Sequence, residues 1–235
     1  MSLYKIADFI IDFLNKYSFI EKLCSGYKYE GDSAADYTVT VSDEDIAKER
    51  TISDDNPPDG YLESICAYRK RCLELPLSDA MLLHGSVIAF QDRGIAFLAL
   101  SGVGKSTHTA LWKKLNGDEV TVINGDKPII RFFDGVPYAY GTPWAGKENW
   151  NTNTRVRLTD LCFIERDECN STFTADKSDC VSALLQQILL PSDPAAMLKT
   201  LLLADALSKQ CRFWKIRCNM EDEAAVAAKK AIFSL

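Results

Sequence analysis

An α/β fold around a mixed β-sheet is the architecture this sequence predicts, and three observations predict it. Short apolar strands recur after Leu82, at Ser86–Phe90, Ile95–Leu100, Val120–Asn124, Ile129–Phe133 and Leu161–Ile164. Helical stretches are interspersed with them at Lys105–Leu115, Val181–Leu190 and Pro194–Ser208, before a strand over Arg212–Arg217 and an alanine-rich helix over Glu223–Ile232. Between the Ile95–Leu100 strand and the next helix lies a glycine-containing turn, Ser101-Gly102-Val103-Gly104. Strands and helices mixed around such a turn imply an α/β core. A hairpin turn at Asp92-Arg93-Gly94, joining the first two strands, makes the sheet mixed rather than purely parallel.

Taken in order, the chain opens on Tyr4, Ile6, Phe9, Ile10, Phe13 and Leu14, an amphipathic segment compatible with helix or strand. Asp36–Val41 alternates as a strand does, and Ser42-Asp43-Glu44-Asp45 has the form of a capping box opening a short helix toward Arg50. Asp54–Gly60, with two prolines and a terminal glycine, reads as a turn or flexible loop. Tyr61–Leu73 is helical, with Leu62, Ile65, Cys66 and Tyr68 on its apolar side. Farther on, Asp193 is a cap and Pro194 fills the first helical position of the Pro194–Ser208 helix. The boundaries that follow are a small α+β elaboration over 1–80 and a core over 81–235. No internal repeat or low-complexity tract occurs.

Bulk composition narrows the partners. With 235 residues, 47% hydrophobic and 26% charged, the chain has the make-up of an ordinary globular protein. A formal net charge of −6 argues against a broad nucleic-acid surface, while leaving room for a local basic pocket. The eight cysteines form no C-x-x-C pair and only two histidines accompany them, so buried reduced thiols in a cytoplasmic protein are expected rather than a zinc site. The opening segment carries Asp8, Asp12 and Lys16 and lacks a signal peptide's form. No apolar run approaches the roughly 18 residues of a membrane span. A homo-oligomer is compatible with all of this.

The chemistry concentrates in Ser101-Gly102-Val103-Gly104-Lys105-Ser106-Thr107. Glycines at 102 and 104 let the backbone curl so that several N–H groups converge on one anion. Lys105 offers a charge to β- and γ-phosphates, Ser106 a hydroxyl to Mg²⁺, and the helix dipole adds to the field. The pattern G-x-x-x-x-G-K-[ST] is matched except at its first glycine, where Ala99 stands.

Three further segments bear on the site. His84, in His84-Gly85-Ser86, can approach a transferred phosphate or be held by backbone at a strand edge. Asp126, in Asn124-Gly125-Asp126-Lys127, can hold a metal or accept a hydroxyl proton opposite the γ-phosphate, although Asn-Gly-Asp also suits a hairpin turn. Residues Tyr138–Asn153, dense in aromatics, glycines and amides, read as an ordered loop. There Lys147 can counter phosphate charge, and Trp144, Asn149, Trp150 and Asn151 can shape an acceptor pocket or merely cover the core. His108 suits helix packing or a nucleotide-side contact. Arg155 and Arg157 alternate along a candidate strand, open to phosphate contact or to solvation.

The set YLESICAYRK, LHGSVIAF, SGVGKSTH, INGDKPII and YGTPWAGK resembles short HPr kinase-like proteins of the HPr kinase/phosphorylase and phosphoenolpyruvate carboxykinase superfamily. That resemblance implies a mixed-sheet P-loop kinase core that binds ATP and Mg²⁺. By it, Gly102, Gly104, Lys105 and Ser106 hold phosphates and metal, and His84 matches the histidine of the HG motif. Asp126 matches the second of two paired aspartates that share base and metal roles, while Gly125 stands in place of the first. The expected activity is ATP-dependent transfer to a hydroxyl of a small molecule or a peptide serine, with Asp126, His84 and Lys105 catalytic. The rivals are a nucleotide-binding regulatory module without transfer and an enzyme using pyrophosphate.

Overall fold

The computed structural model describes residues 2–53 and 55–234. The apolar opening segment forms a hairpin: β1 (Leu3–Ile6) pairs antiparallel with β2 (Phe9–Leu14). Its two-residue turn, Ala7-Asp8, has φ of 52° and 59°, the left-handed backbone that a tight hairpin needs. Helix α1 (Phe19–Leu23) follows, and β3 (Tyr37–Thr40) then joins β2 in parallel. The capping box is present at the start of α2 (Asp43–Ile52), where Ser42 and Asp45 exchange side chain-to-backbone hydrogen bonds. Helix α3 (Asp59–Glu74) begins two residues before Tyr61, on the N-cap Pro58. Of the stretch read as a loop, Asp54 lies outside the described residues.

The remaining strands form a nine-stranded mixed sheet. They are β4 (Ala80–Leu82), β5 (Ser86–Phe90), β6 (Arg93–Leu98), β7 (Thr121–Asn124), β8 (Ile129–Phe133), β9 (Val136–Tyr140), β10 (Arg155–Arg166), β11 (Ser171–Thr174) and β12 (Arg212–Cys218). The main path runs β4-β8-β9-β10-β6-β5-β7, with β12 on the later residues of β10 and β11 beyond it. The twelve-residue β10 holds the sheet together: its start pairs antiparallel with β9, and its remainder runs parallel to β6 and β12. The β5–β6 hairpin turns at Gln91-Asp92, both left-handed, so Arg93 and Gly94 belong to the strand rather than to the turn.

Both faces of the sheet are covered, and residues alternate between them as a pleated strand dictates. Val87, Ala96, Leu98, Leu161, Phe163 and Phe213 face helices α5 (Lys177–Leu185) and α6 (Pro194–Gln210). Ile88, Ile95, Phe97, Cys162, Trp214 and Ile216 face α4 (Lys105–Asn116) and α7 (Asp222–Phe233) through Trp112, Ala224, Ala225 and Ala228. A third cluster joins the β1–β3 sheet to α3 and to Tyr140 and Trp144. Asp193 caps α6 as expected, accepting from the Ala196 amide at 2.9 Å. All eight cysteines are free and all but Cys169 are buried; burial pushes the thiols of Cys24, Cys72 and Cys211 up to about 12. No described helix is long and apolar enough to cross a membrane.

Candidate functional site

Strand β6 runs through the centre of the sheet and ends at Leu98; the chain then turns through Ala99–Gly104 into α4. Gly102 and Gly104 have φ of 77° and 135°, with open space where a Cβ would stand, so backbone conformation and not crowding demands glycine here. No side chain caps α4, leaving the amides of its first turn without intrahelical acceptors. Arg166, at the end of β10, donates to the carbonyls of Gly102 and Val103, the latter at 3.1 Å, and braces the turn from below. Ser86 and Thr109 share a buried hydroxyl–hydroxyl bond of 2.8 Å that fixes α4 against β5.

Lys105 is buried, and its ammonium donates to the Ala99 carbonyl at 2.8 Å. Burial lowers its pKa, and the charge of Asp126 pulls it partly back. A buried cation with neutral carbonyls for partners, beside uncapped helix amides, fits a bound polyanion. Ser101, Gly102, Gly104, Ser106 and Thr107 open with it onto one cavity of about 410 Å³.

Across that cavity stand His84, Gly125, Asp126, Gly146, Lys147 and Glu148. The Asn124–Lys127 stretch is not a hairpin turn, because β7 pairs with β5 whereas β8 pairs with β4 and β9. Instead the Asn124 side chain accepts from the amides of Asp126 and Lys127 at 2.8 and 2.6 Å, folding the chain so that Asp126 faces the cavity onto which the 101–107 turn opens. Asp126 meets His84 Nε2 at 3.3 Å and Lys127 Nζ at 2.5 Å. Burial pushes its carboxyl up, but the His84 hydrogen bond and the Lys127 charge outweigh burial and hold it well below the usual carboxylate range. His84 is set by backbone too: its amide donates to the Gln187 carbonyl at 2.7 Å. Among the described residues no three His, Cys, Asp or Glu side chains group to hold a metal. Ser106, Asp126 and Glu148 are the oxygen-bearing side chains on this cavity besides Ser101 and Thr107, and a divalent ion bound here would draw on them together with ligand and water oxygens.

Gly125 lies under the 144–150 loop. Its amide donates to the Trp150 carbonyl at 2.8 Å, and a Cβ would stand 3.0 Å from the Ala145 carbonyl oxygen. The loop therefore crowds the place where a side chain at this position would begin. Gly146 has φ of 78°, and a Cβ there would sit a tight 3.1 Å from that of Asp126, so both backbone conformation and crowding favour glycine.

The remaining sequence candidates divide. Tyr138–Tyr140 belongs to β9, so the irregular segment is shorter than the expected loop. Trp144 is buried and stacked on Tyr68 at 4.0 Å, yet it still lines a second cavity beside Asp126, as do Lys147 and Asn149. Trp150 lies under Lys113, and Asn151 accepts from the Tyr27 hydroxyl at 2.9 Å. His108 is fully buried, accepting from Trp112 Nε1 at 3.1 Å, and burial lowers its pKa to about 4. Arg155 is engaged far from the cavity, by Asp8 and the Tyr140 hydroxyl. Arg166 and Gln187 escaped the sequence reading, and neither sits in a motif; the run of apolar residues in β10 would have pointed only to a strand.

No protein-family model matches the chain, and no curated protein matches it. Among solved structures, the Hpr(Ser) kinase/phosphatase from Coxiella burnetii is similar over 52% of this chain and 86% of its own, at 13% identity and a TM-score of 0.30. At that score the superposition carries no functional argument.

Proposed function

We propose that the protein is an ATP-dependent phosphotransferase that delivers a γ-phosphoryl group to an alcohol hydroxyl. The observation that carries this reading is the meeting, in one cavity, of the uncapped α4 N-terminus with Lys105 and Ser106 on one side and the Asp126–His84 pair on the other. Phosphoryl transfer asks mainly for positioning and for charge opposite the equatorial oxygens, which is what amides and an ammonium supply.

In this reading the loop amides and Lys105 bind the β- and γ-phosphates. Ser106 and Asp126 would hold Mg²⁺, which supplies charge neutralisation between the phosphates. A second cavity of about 470 Å³ flanks the turn, lined by Val103, Ile164, Arg166 and Met220, and takes the nucleoside end. Asp126 is held ionised, so its strength is that of an anion able to orient a hydroxyl and receive its proton as the new bond forms. His84 keeps that carboxylate aimed, and Lys147 adds positive charge at the rim. On this reading the core at 81–235 binds nucleotide and the elaboration at 1–80 closes the acceptor side.

One observation favours a second reading, a nucleotide-binding module without transfer. Gly125 supplies no carboxylate, and the loop above it crowds the space for one. Incubation of the protein with γ-labelled ATP, Mg²⁺ and a panel of alcohols separates the two. Label in an alcohol establishes transfer; tight Mg²⁺-dependent ATP binding with no labelled product establishes the module.

A further inference from the structure

The wall beyond Asp126 indicates what kind of alcohol the site takes. A cavity of about 770 Å³ adjoins the phosphate cavity and shares Asp126, Gly146 and Lys147 with it. That volume is within the range of pockets that hold one small organic molecule. Its lining joins elements distant in sequence: Leu23 of α1, Ile65 and Tyr68 of α3, Leu82 of β4, Trp144 and Leu189. Tyr68 and Trp144 stack face to face, their centroids 4.0 Å apart and their planes 9° from parallel, so the pair enters the lining as one rigid apolar block, and Phe19 and Tyr61 meet edge to face where they remain partly exposed.

Several polar groups in this lining are spent on the protein itself, Trp144 Nε1 being a buried exception that has no partner. The Tyr68 hydroxyl donates to the Lys127 carbonyl at 2.8 Å, and that of Ser64 to the Tyr61 carbonyl at 2.7 Å. Arg69 gives both terminal nitrogens to Glu49. A sugar or polyol entering here would find Trp144 Nε1 and the charged edge at Asp126 and Lys147, but its hydroxyls against Leu23, Ile65, Leu82 and Leu189 would lack partners, which costs free energy for each buried group. An apolar body gains instead, by about 25 cal/mol for each Å² it removes from water.

Resting on the phosphotransfer reading, we propose that the acceptor is a small alcohol with an apolar body. The body lies against Tyr68 and Trp144, and the hydroxyl reaches Asp126 at the junction of the two cavities. The acceptor oxygen then bonds to the γ-phosphorus while the bond from that phosphorus to the β,γ-bridging oxygen breaks. ADP leaves with the electron pair, and the hydroxyl proton passes to Asp126.

The test supplies the full chain with γ-labelled ATP and Mg²⁺, and with 2-phenylethanol, 3-phenyl-1-propanol, glycerol or glucose in separate reactions. Label is expected in the two aryl alcohols and not in the two polyols. Ile65→Glu, a charge on a wall position, should raise KM for 3-phenyl-1-propanol at least about tenfold with KM for ATP unchanged. Tyr61→Ala, at a rim position 43% exposed, should raise it by a smaller factor. Label in glucose or glycerol instead, or in none of the four while calorimetry still finds Mg²⁺-dependent ATP binding, overturns the apolar acceptor and leaves the nucleotide site standing. An unchanged acceptor KM in both variants overturns it as well. Absence of any Mg²⁺-dependent ATP binding removes the phosphotransfer reading and this proposal with it.

Discussion

The α4 side of the cavity is made largely of backbone and comes from one short run of sequence, Ser101–Thr107, whereas the opposite side is made of side chains from His84, Asp126, Lys127 and Lys147. The first side owes its field to uncapped amides and one buried ammonium, and its conformation to two glycines with positive φ. The second owes its charge state to neighbours: the Asp126 carboxyl is held well below its ordinary range because His84 and Lys127 outweigh the effect of burial. A site built of backbone is hard to damage by exchanging side chains, apart from its lysine. A site built of mutually dependent side chains is easy to damage, and one substitution alters several groups at once.

That contrast can be broken by experiment. The largest effect is expected from Asp126→Asn, which should cut kcat by about 10³-fold while ATP affinity changes only a few-fold. Single-turnover transfer together with calorimetry measures both; normal turnover would remove Asp126 from the chemistry. Acid should act on the two sides in different pH windows. His108, beneath the phosphate loop, is neutral in the fold with its pKa lowered from 6.5 to about 4. The unfolded chain therefore binds more protons between those values, and stability should fall by about 3 kcal/mol as pH drops from 6.5 to 4. Asp126, with its pKa depressed, contributes stability that is fully present above about pH 4 and is lost only below it. Urea titrations of wild type and His108→Gln across pH 4–7 check this, the variant being expected to show the shallower slope.

Lys105→Ala sharpens the contrast from the other side. ATP affinity should weaken by about 10²-fold, the worth of a charge-assisted phosphate contact, with the melting temperature little changed. An affinity within threefold of wild type would show that the amides alone suffice. The smallest effect is expected at Gly146→Ala, where a left-handed alanine costs about 1–2 kcal/mol. Its added methyl also presses on Asp126, so turnover should fall more than stability does; thermal melts and kinetics on the same sample decide it.

Legibility in the sequence follows the same division. The β5–β6 hairpin, the phosphate turn and α4 were readable because each is dictated locally, by alternation, by glycine and by helical spacing. The capping box at Ser42 and the cap at Asp193 were readable for the same reason. The opening segment stayed undecided because six apolar residues at mixed spacing fit either period, and only the left-handed Ala7-Asp8 turn resolves them into strands. Strand β9 was hidden by its proline and paired tyrosines, and β11 by its polar, largely exposed residues. On the cavity's far side the contributing residues could be named one by one, but not their contacts. The Asp126–His84 meeting depends on β7 and on the segment after β4, which are about forty residues apart. Arg166 was silent because its partners are main-chain carbonyl oxygens, and Gln187 because it acts through its own main-chain carbonyl; neither leaves a trace in side-chain chemistry.

The loop above Gly125 is pinned at several points. Asn151 is bonded to Tyr27 and Asn153 to the Gly26 carbonyl, while Thr152 and Trp150 are tied by backbone to Ile123 and Gly125. Such stapling fixes the 150–153 end of the segment against β7 and the N-terminal elements. On the proposed reading, an acceptor that reaches Asp126 from the side of the N-terminal helices passes beside a ledge anchored at that end, so the anchor helps to set the width of a doorway.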